Sequence, residues 1–337
     1  MFIFLLFSLT IFIFFYMCEK SKINVFVTFI LTIIVCYLII FPKSSIDSIL
    51  LGANLFIKSV FPTLFPFLIL TNILINYGGI RIFGNLFGFA FKKLFNISQN
   101  SIFPLLVSFI CGYPLGTKYV EEVYEENLID KNEFNRIVHI ASNASPLFII
   151  GTVGFSILNN KNLGYFLLIA NYVSCIIVSF FLPYNKSFRS INEKHYFKKN
   201  KNFGDILKSS IENSIKTCSI VGGYIILFSL IREILLNNIY TEILFNDLPV
   251  TKSLLIGFFE ITNGINLISE TSISLNLKLS LISALCSFSG MCIILQCYSF
   301  VYKNNNFNLK KYILFKFFQA IIAFIITFIL CYFFIKT

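Results

Sequence analysis

The sequence predicts an all-α polytopic membrane protein that contains an inverted repeat of broken and re-entrant helices. The first observation is composition: 57% of the 337 residues are hydrophobic, 13% are charged and the mean hydropathy is +0.81. Soluble domains carry about 25% charged residues. Second, the basic residues, which give a net charge of +11, lie in short clusters between apolar runs, as in cytoplasmic loops under the positive-inside rule. Third, small and polar residues interrupt several of the apolar segments.

Uninterrupted apolar runs predict ordinary membrane helices. The run at residues 59–76 contains two prolines, which predict a kink. Residues 78–96 place basic side chains beside phenylalanines, as in an amphipathic helix at the membrane surface. The remaining runs predict helices at residues 1–17, 23–41, 163–182, 211–236 and 312–335.

Two neighbouring apolar segments are each interrupted, at Cys111–Gly116 and at Ser142–Pro146. Two more interruptions follow in the second half, at Glu260–Gly264 and at Ser287–Gly290. Non-helical backbone at membrane depth is tolerated only where it is buried in protein or lines a cavity. Paired broken segments therefore indicate a transporter's solute site.

The distribution of positive charge constrains the topology. If the basic clusters at 19–22, 81–93, 184–208 and 303–311 all lie in the cytoplasm, the number of crossings between them must be even. We therefore predict that residues 101–118 and 253–269, the shortest segments, are re-entrant. Each half then has the same order of elements and inserts from the opposite side, which defines an inverted-topology repeat.

Several residues in the interrupted segments have chemistry that suits a polar or anionic solute. Glycine and proline expose backbone amides and half-helix termini, and clustered hydroxyl and amide side chains in an apolar run require a partner. Glu260 is a carboxylate in an apolar segment and is a functional hypothesis by default. The candidate solute-binding residues are Gly112, Tyr113, Pro114, Gly116, Lys118, Ser142, Asn143, Ser145, Glu260, Thr262, Asn263, Ser287, Ser289 and Gln296.

For each of these functional hypotheses there is an alternative in which the residue has a purely structural role. The glycines and prolines also suit a packing kink between helices. Lys118 is either a counter-charge for an anion or a lysine that snorkels to the interface. Glu260 binds a proton or a cation, holds a donor group of the solute, or forms a structural ion pair.

Enzyme chemistry is not predicted. The nine cysteines lie mostly within apolar runs and form no CxxC pair, and the two histidines have no ligand spacing around them. No nucleotide-binding, serine-hydrolase or zinc-protease motif is present. We expect no catalytic residue, no metal, no cofactor and no nucleic-acid partner.

Four stretches together resemble the sporulation integral membrane protein family of YlbJ type. They are Phe61–Phe67 (FPTLFPF), Gly112–Lys118 (GYPLGTK), Asn143–Gly151 (NASPLFIIG) and Glu260–Gly264 (EITNG). The resemblance covers roughly residues 40–335 and implies the nucleoside-recognition, or gate, domain group, to which concentrative nucleoside transporters are related. On that basis the chain divides into N-terminal transmembrane helices at 1–42, a first gate-type repeat at 43–183, a basic cytoplasmic linker at 184–210 and a second gate-type repeat at 211–337.

The resemblance implies a transporter of a small polar or anionic solute that is needed for sporulation. The implied solute is dipicolinic acid, moved from the mother cell toward the forespore, and the implied location is the cell membrane or, during sporulation, the outer forespore membrane. Other readings stay open: a transporter of nucleosides or nucleobases, or a spore-membrane assembly factor that transports nothing. The expected partners are the solute, the lipid bilayer and a second copy of the chain in a homo-oligomer.

Overall fold

The computed structural model describes residues 24–183, 202–236, 245, 248–304 and 306–334. The predicted first helix at 1–17 and most of the basic linker, residues 184–201, lie outside these ranges. The described part of the chain is helical and contains no strand, which confirms the predicted all-α class. Its helices are α1 (Val25–Ile40), α2 (Pro42–Leu55), α3 (Phe61–Asn76), α4 (Gly79–Phe95), α5 (Ile102–Cys111), α6 (Leu115–Glu125), α7 (Lys131–Ile140), a π-helix (Leu147–Ile157), α8 (Lys161–Phe181), α9 (Phe203–Leu236), α10 (Pro249–Phe259), α11 (Ile261–Glu270), α12 (Leu275–Phe288), α13 (Gly290–Val301) and α14 (Leu309–Phe334).

The described helices include five that are long and apolar enough to cross a membrane. A sixth span is formed if α4 and the segment Gln99–Cys111, which are bent by 99° at their junction, count as one. Large apolar side chains on these helices, such as Phe89 and Tyr332, are exposed on the outer surface, as expected for side chains that face lipid. The five helical segments that are long and apolar enough to cross a membrane are Pro42–Asn76, Lys161–Phe181, Phe203–Leu236, Leu275–Val301 and Leu309–Phe333.

Some predicted boundaries differ from the observed ones. Residues 42–76 form one continuous helix with a π-turn at Phe56–Val60, so the two prolines of this region do not divide it. Pro62 lies at the start of α3, just after this π-turn, and Pro66 lies inside α3. Helix α9 begins at Phe203, so the last residues of the predicted linker at 184–210 belong to this helix.

Two short helical hairpins lie at the places where re-entrant segments are predicted. The first consists of α5 and α6, and the second of α10 and α11. Each arm has 10 or 11 residues, which is about 15 Å of helix and half of a bilayer's ~30 Å hydrocarbon core. The insertion of the two halves from opposite sides of the membrane stays a prediction.

After its own hairpin, each half has the same order of elements. In the first half, the hairpin is followed by α7, a non-helical break at 141–145, the π-helix and α8. In the second half, the hairpin is followed by α12, a break at Ser289, α13 and α14. The closing helices α8 and α14 pack against each other, so the two broken segments are brought to the middle of the molecule.

Candidate solute-binding site

In the first half, the tip of the hairpin lies on the helix break. Gly112 has a φ of +85°, a conformation that glycine adopts without steric cost. A Cβ atom at this position would lie 2.8 Å from the amide nitrogen of Ser145, so the close approach also requires glycine. The next residue, Tyr113, donates its backbone N–H to the carbonyl oxygen of Asn143 at 2.8 Å. The tip and the break therefore form one unit.

The break itself is stabilised by Asn143 and Ser108. The backbone N–H and the side-chain amide of Asn143 both donate to the Ser108 hydroxyl at 3.1 Å. The same side-chain amide also donates to the carbonyl oxygen of Ile140 at 2.7 Å, at the end of α7. Asn143 thus replaces the backbone hydrogen bonds that the helix loses when it ends.

In the second half, Glu260 forms the tip of the hairpin. Its carboxylate accepts the backbone N–H groups of Thr262 at 3.0 Å and Asn263 at 2.8 Å, and the side-chain amide of Asn263 at 2.5 Å. This is an N-cap for α11, and a negative charge there also complements the helix dipole. The guanidinium of Arg232 on α9 donates to the Asn263 side chain at 3.0 Å, which connects the tip to the long helix beside it.

The second tip also lies on a break. Ser289 and Gly290 have φ values of +74° and +75°, so the chain between α12 and α13 passes through the left-handed region at two successive residues. A Cβ atom on Gly290 would lie 3.2 Å from the carbonyl oxygen of Gly257. Both halves therefore have a hairpin tip in backbone contact with a helix break.

Lys316, on α14, connects the two breaks. Its ammonium group donates to the carbonyl oxygen of Ser142 in the first break and to that of Ser287, in the last turn of α12, at 3.4 Å. Its third partner is the side-chain oxygen of Gln319 at 3.1 Å. Within the described residues it forms no salt bridge, and its three hydrogen-bond partners are neutral.

Two further contacts join the halves. Gln319 donates its side-chain N–H to the side-chain oxygen of Asn143 at 3.2 Å, from the last helix of the second half to the break of the first. Asn171, on α8, donates to the Ser287 hydroxyl at 2.9 Å, from the last helix of the first half to the break of the second. Each closing helix therefore contacts the other half's break.

The polar cluster around Lys316 is closed to solvent. The exposed fractions are 0% for Ser142, 1% for Asn143, 1% for Ser287 and 1% for Lys316. The Tyr113 hydroxyl is also buried and has no hydrogen-bond partner within the described part of the chain. The Tyr113 ring packs against an apolar cluster that contains residues of both halves, such as Ile149 and Ile265, so this tip residue lies between the halves.

The structure brings most of the predicted site residues to the two breaks or the two tips. These are Gly112, Tyr113, Pro114, Ser142, Asn143, Ser145, Glu260, Thr262, Asn263, Ser287 and Ser289. Gln296 is buried and donates to the sulfur of Cys292 at 3.3 Å, one turn of α13 before it. Whether any of these residues binds a solute stays a prediction.

Two further predicted residues have structural partners. Gly116 packs against the first break, because a Cβ there would lie 2.3 Å from the carbonyl oxygen of Ala141 and 2.5 Å from the Cβ of Ser108. Lys118 forms an ion pair with Glu122 at 2.5 Å, one turn further along α6, and its ammonium lies 4.3 Å from the Tyr119 ring centroid. Lys118 therefore already has an opposite charge as its partner.

Two acidic side chains are buried in the elements that flank the turn between α6 and α7, Glu121 in α6 and Glu133 in the first turn of α7. Glu133 accepts hydrogen bonds from the Ser98 backbone and the Ser101 hydroxyl. Burial raises the pKa of Glu121 to about 7, although the Asn304 amide that donates to it acts in the opposite direction. These two carboxylates thus have internal partners.

Lys316, Gln319 and Asn171 were not among the residues predicted for the site. One signal pointed to Lys316: a charge inside the apolar run 312–335 is costly and is by default a functional hypothesis. It follows Lys310 and Lys311 closely in the sequence, and these lysines made it resemble the basic flank of a membrane helix. No group of His, Cys, Asp and Glu suited to a metal ion occurs among the described residues.

Comparison with known proteins supports the resemblance seen in the sequence. Residues 57–181 match the Gate family model, described as nucleoside recognition. The chain is 29% identical over 288 residues to the sporulation integral membrane protein YlbJ of Bacillus subtilis strain 168, covering 76% of this chain and 70% of that one. No solved structure matches the chain. The match to the Gate model covers the first tip, the first break and α8.

Proposed function

We propose, from the premise that this chain is a multi-pass membrane protein with a Gate domain and a relative of the sporulation protein YlbJ, that it transports a small anionic solute. The observation that carries the proposal is the buried junction where Lys316 contacts both helix breaks. Half-helix ends that meet inside a membrane protein are typical of solute sites in transporters.

The charge of the junction favours an anion. Lys316 is 1% exposed, and burying an unpaired ammonium is costly unless a counter-charge is available. Its three neutral partners satisfy its hydrogen bonds but supply no negative charge. A solute carboxylate would supply the missing negative charge, and Coulomb attraction is stronger there than in water.

The Tyr113 hydroxyl supports a solute at the same place. A buried hydroxyl without a partner costs free energy, and a bound solute would provide an acceptor for it. Dipicolinic acid, the solute implied by the resemblance, is a small aromatic dianion with carboxylates for both Tyr113 and Lys316. Movement from mother cell to forespore is part of this proposal.

Alternating access would expose the junction to each side in turn. In the described structure the junction is closed, since Lys316 and the two serines whose carbonyl oxygens it contacts are each at most 1% exposed. The two hairpins, whose tips cover the breaks, are the elements that would move to open it, as in other transporters built from repeats.

The decisive experiment is uptake of dipicolinate by purified protein in proteoliposomes, with Tyr113→Phe as the diagnostic variant. Because this hydroxyl makes no hydrogen bond in the described structure, its removal should leave stability unchanged or slightly higher, while uptake falls at least tenfold. The matched control is Tyr172→Phe, whose hydroxyl donates to the Phe109 carbonyl oxygen; that variant should lose stability but keep uptake. Equal uptake by wild type and Tyr113→Phe would contradict a role for this hydroxyl.

A second candidate solute is a nucleoside, which the description of the matching family model favours. Uridine and dipicolinate should therefore compete in the same assay. Inhibition by dipicolinate but not by uridine supports the anion, and the reverse supports the nucleoside. Absence of uptake of either one, with a fully folded protein that restores sporulation in a Bacillus subtilis strain lacking YlbJ, would support the assembly-factor alternative.

A further inference from the structure

All three hydrogen-bond partners of the Lys316 ammonium are neutral oxygen atoms. Two of the three are backbone carbonyl oxygens, those of Ser142 and Ser287. Ser287 lies in the last turn of α12, and Ser142 lies two residues after the end of α7. The last carbonyls of a helix have no partner within the helix, and they lie at the negative end of its dipole.

Such a set of oxygens is what a monovalent cation requires. In transporters with discontinuous helices, unwound backbone carbonyls and the C-terminal ends of half-helices coordinate the coupling cation. Here the same oxygens, together with the side-chain oxygen of Gln319 at 3.1 Å, surround a nitrogen that is part of the chain. The third oxygen comes from the residue one turn along α14, so the lysine and one of its ligands belong to a single helix.

We infer that the Lys316 ammonium replaces a coupling cation at the junction of the two halves. A covalently attached cation cannot leave with the solute, so it stays at the junction throughout the transport cycle. Solute movement then requires no Na⁺ or other alkali cation. This inference deepens the proposed transport function, but its test requires no solute.

The test is thermal unfolding of the full-length protein in detergent, in chloride salts of equal ionic strength. The cations are Li⁺, Na⁺, K⁺, choline and ethylammonium. We expect the wild-type midpoint to be the same in all five. Lys316→Ala removes the charge and leaves space, so its midpoint should fall and then rise by several degrees with the logarithm of the concentration of an alkali cation or of ethylammonium. A cation that binds the folded state but not the unfolded state raises the unfolding midpoint with its concentration in this way.

The control is Lys316→Met, which is uncharged but fills nearly the same space. It should lose stability and gain nothing from any cation. Rescue of Lys316→Met equal to that of Lys316→Ala would show that the effect does not arise at this position and would overturn the inference. A folded Lys316→Ala protein that responds equally to every cation would overturn it as well.

The wild type provides a test that does not depend on the variants. If Na⁺ or another alkali cation selectively raises its midpoint, a separate cation site exists and the inference is wrong. Should Lys316→Ala fail to fold in ordinary buffer, purification with ethylammonium present throughout is expected to yield folded protein, and failure there too would count against the inference. These outcomes are distinct from a failure of the uptake assay, which would contradict the proposed solute only.

Discussion

The two hairpin tips solve the same structural problem with different chemistry. In the first half the tip is neutral, and it binds the break through the backbone, from the Tyr113 N–H to the Asn143 carbonyl oxygen. The helix that follows, α6, has no side-chain cap. In the second half the tip carries Glu260, whose carboxylate caps α11. The second half therefore supplies its own anion, whereas the first half leaves a helix N-terminus uncapped.

This difference indicates how the two halves divide their roles. If the solute is the proposed anion, a helix N-terminus that has no negative partner attracts it, which favours the side of the first tip. Glu260 repels an anion at the equivalent place in the second half. The positive charge between them comes from Lys316 and is shared by both breaks. The repeat is thus similar in backbone and different in charge.

The largest expected effects come from the glycines that allow close backbone contact. On Gly264 a Cβ would lie 2.5 Å from the Gly257 amide nitrogen, and on Gly116 it would lie 2.5 Å from the Ser108 Cβ. We expect Gly264→Ala and Gly116→Ala each to lower the free energy of unfolding by about 3 kcal/mol or more, measured by thermal or denaturant unfolding. Gly151→Ala is the matched control, because its nearest contact is 3.6 Å away; it should be neutral or stabilising. A stable Gly264→Ala protein would mean that the hairpin arms are further apart than described.

Removal of the charged cap should have the next largest effect, and it tests the contrast between the tips directly. Glu260→Ala takes away the acceptor for the Thr262 and Asn263 amides, and we expect a loss of about 2 kcal/mol of unfolding free energy. The control is Glu270→Ala, at the other end of α11, where the side chain is exposed and a change within about 0.5 kcal/mol is expected. Equal effects of the two substitutions would show that Glu260 does not act as a cap.

A smaller effect is expected from the hydrogen bond that joins the halves through Asn171 and Ser287. A double-mutant cycle with Asn171→Ala and Ser287→Ala should give a coupling free energy of about 1 kcal/mol. The measurement is unfolding free energy for the wild type, both single variants and the double variant. Strict additivity would indicate that the two halves do not interact at this position.

The smallest effect is expected for substitution of Lys118. This prediction distinguishes Lys118 from Lys316, the lysine that contacts both breaks. The partner of Lys118 is Glu122, whose side chain is 36% exposed, and helical ion pairs of this type contribute about 0.3–0.5 kcal/mol. Lys118→Met should therefore change both stability and solute uptake little, whereas Lys316→Met should strongly reduce uptake. If Lys118→Met abolishes uptake in a stable protein, the predicted role of Lys118 as a counter-charge is supported instead.

Much of the helical organisation was predictable because local chemistry determines it. Glycine at positive φ, proline and clustered hydroxyls marked the positions of Gly112, Ser142 and Ser289, and each coincides with a tip or a break. The Gate resemblance rested on the same residues. Charge counting along the chain predicts re-entrant segments at 101–118 and 253–269, and the two short hairpins lie there; their re-entrance stays a prediction.

The centre of the site was not predictable in the same way. The Lys316 contact joins residues 174 positions apart, and nothing in the local sequence of α14 shows which carbonyl oxygens it faces. Glu260 was correctly placed at a break, but its role as a cap depends on the rotamer that its side chain adopts. Local patterns thus identified where the chain bends, and packing decided which charges meet there.

The contact between Gly257 and Gly264 determines how the second hairpin can respond to force. With no side chain between them, the two arms touch through their backbones, so neither arm has room to move closer to the other. We therefore expect the hairpin to move as one body, with residues 271–274, the non-helical joint that follows α11, as its hinge.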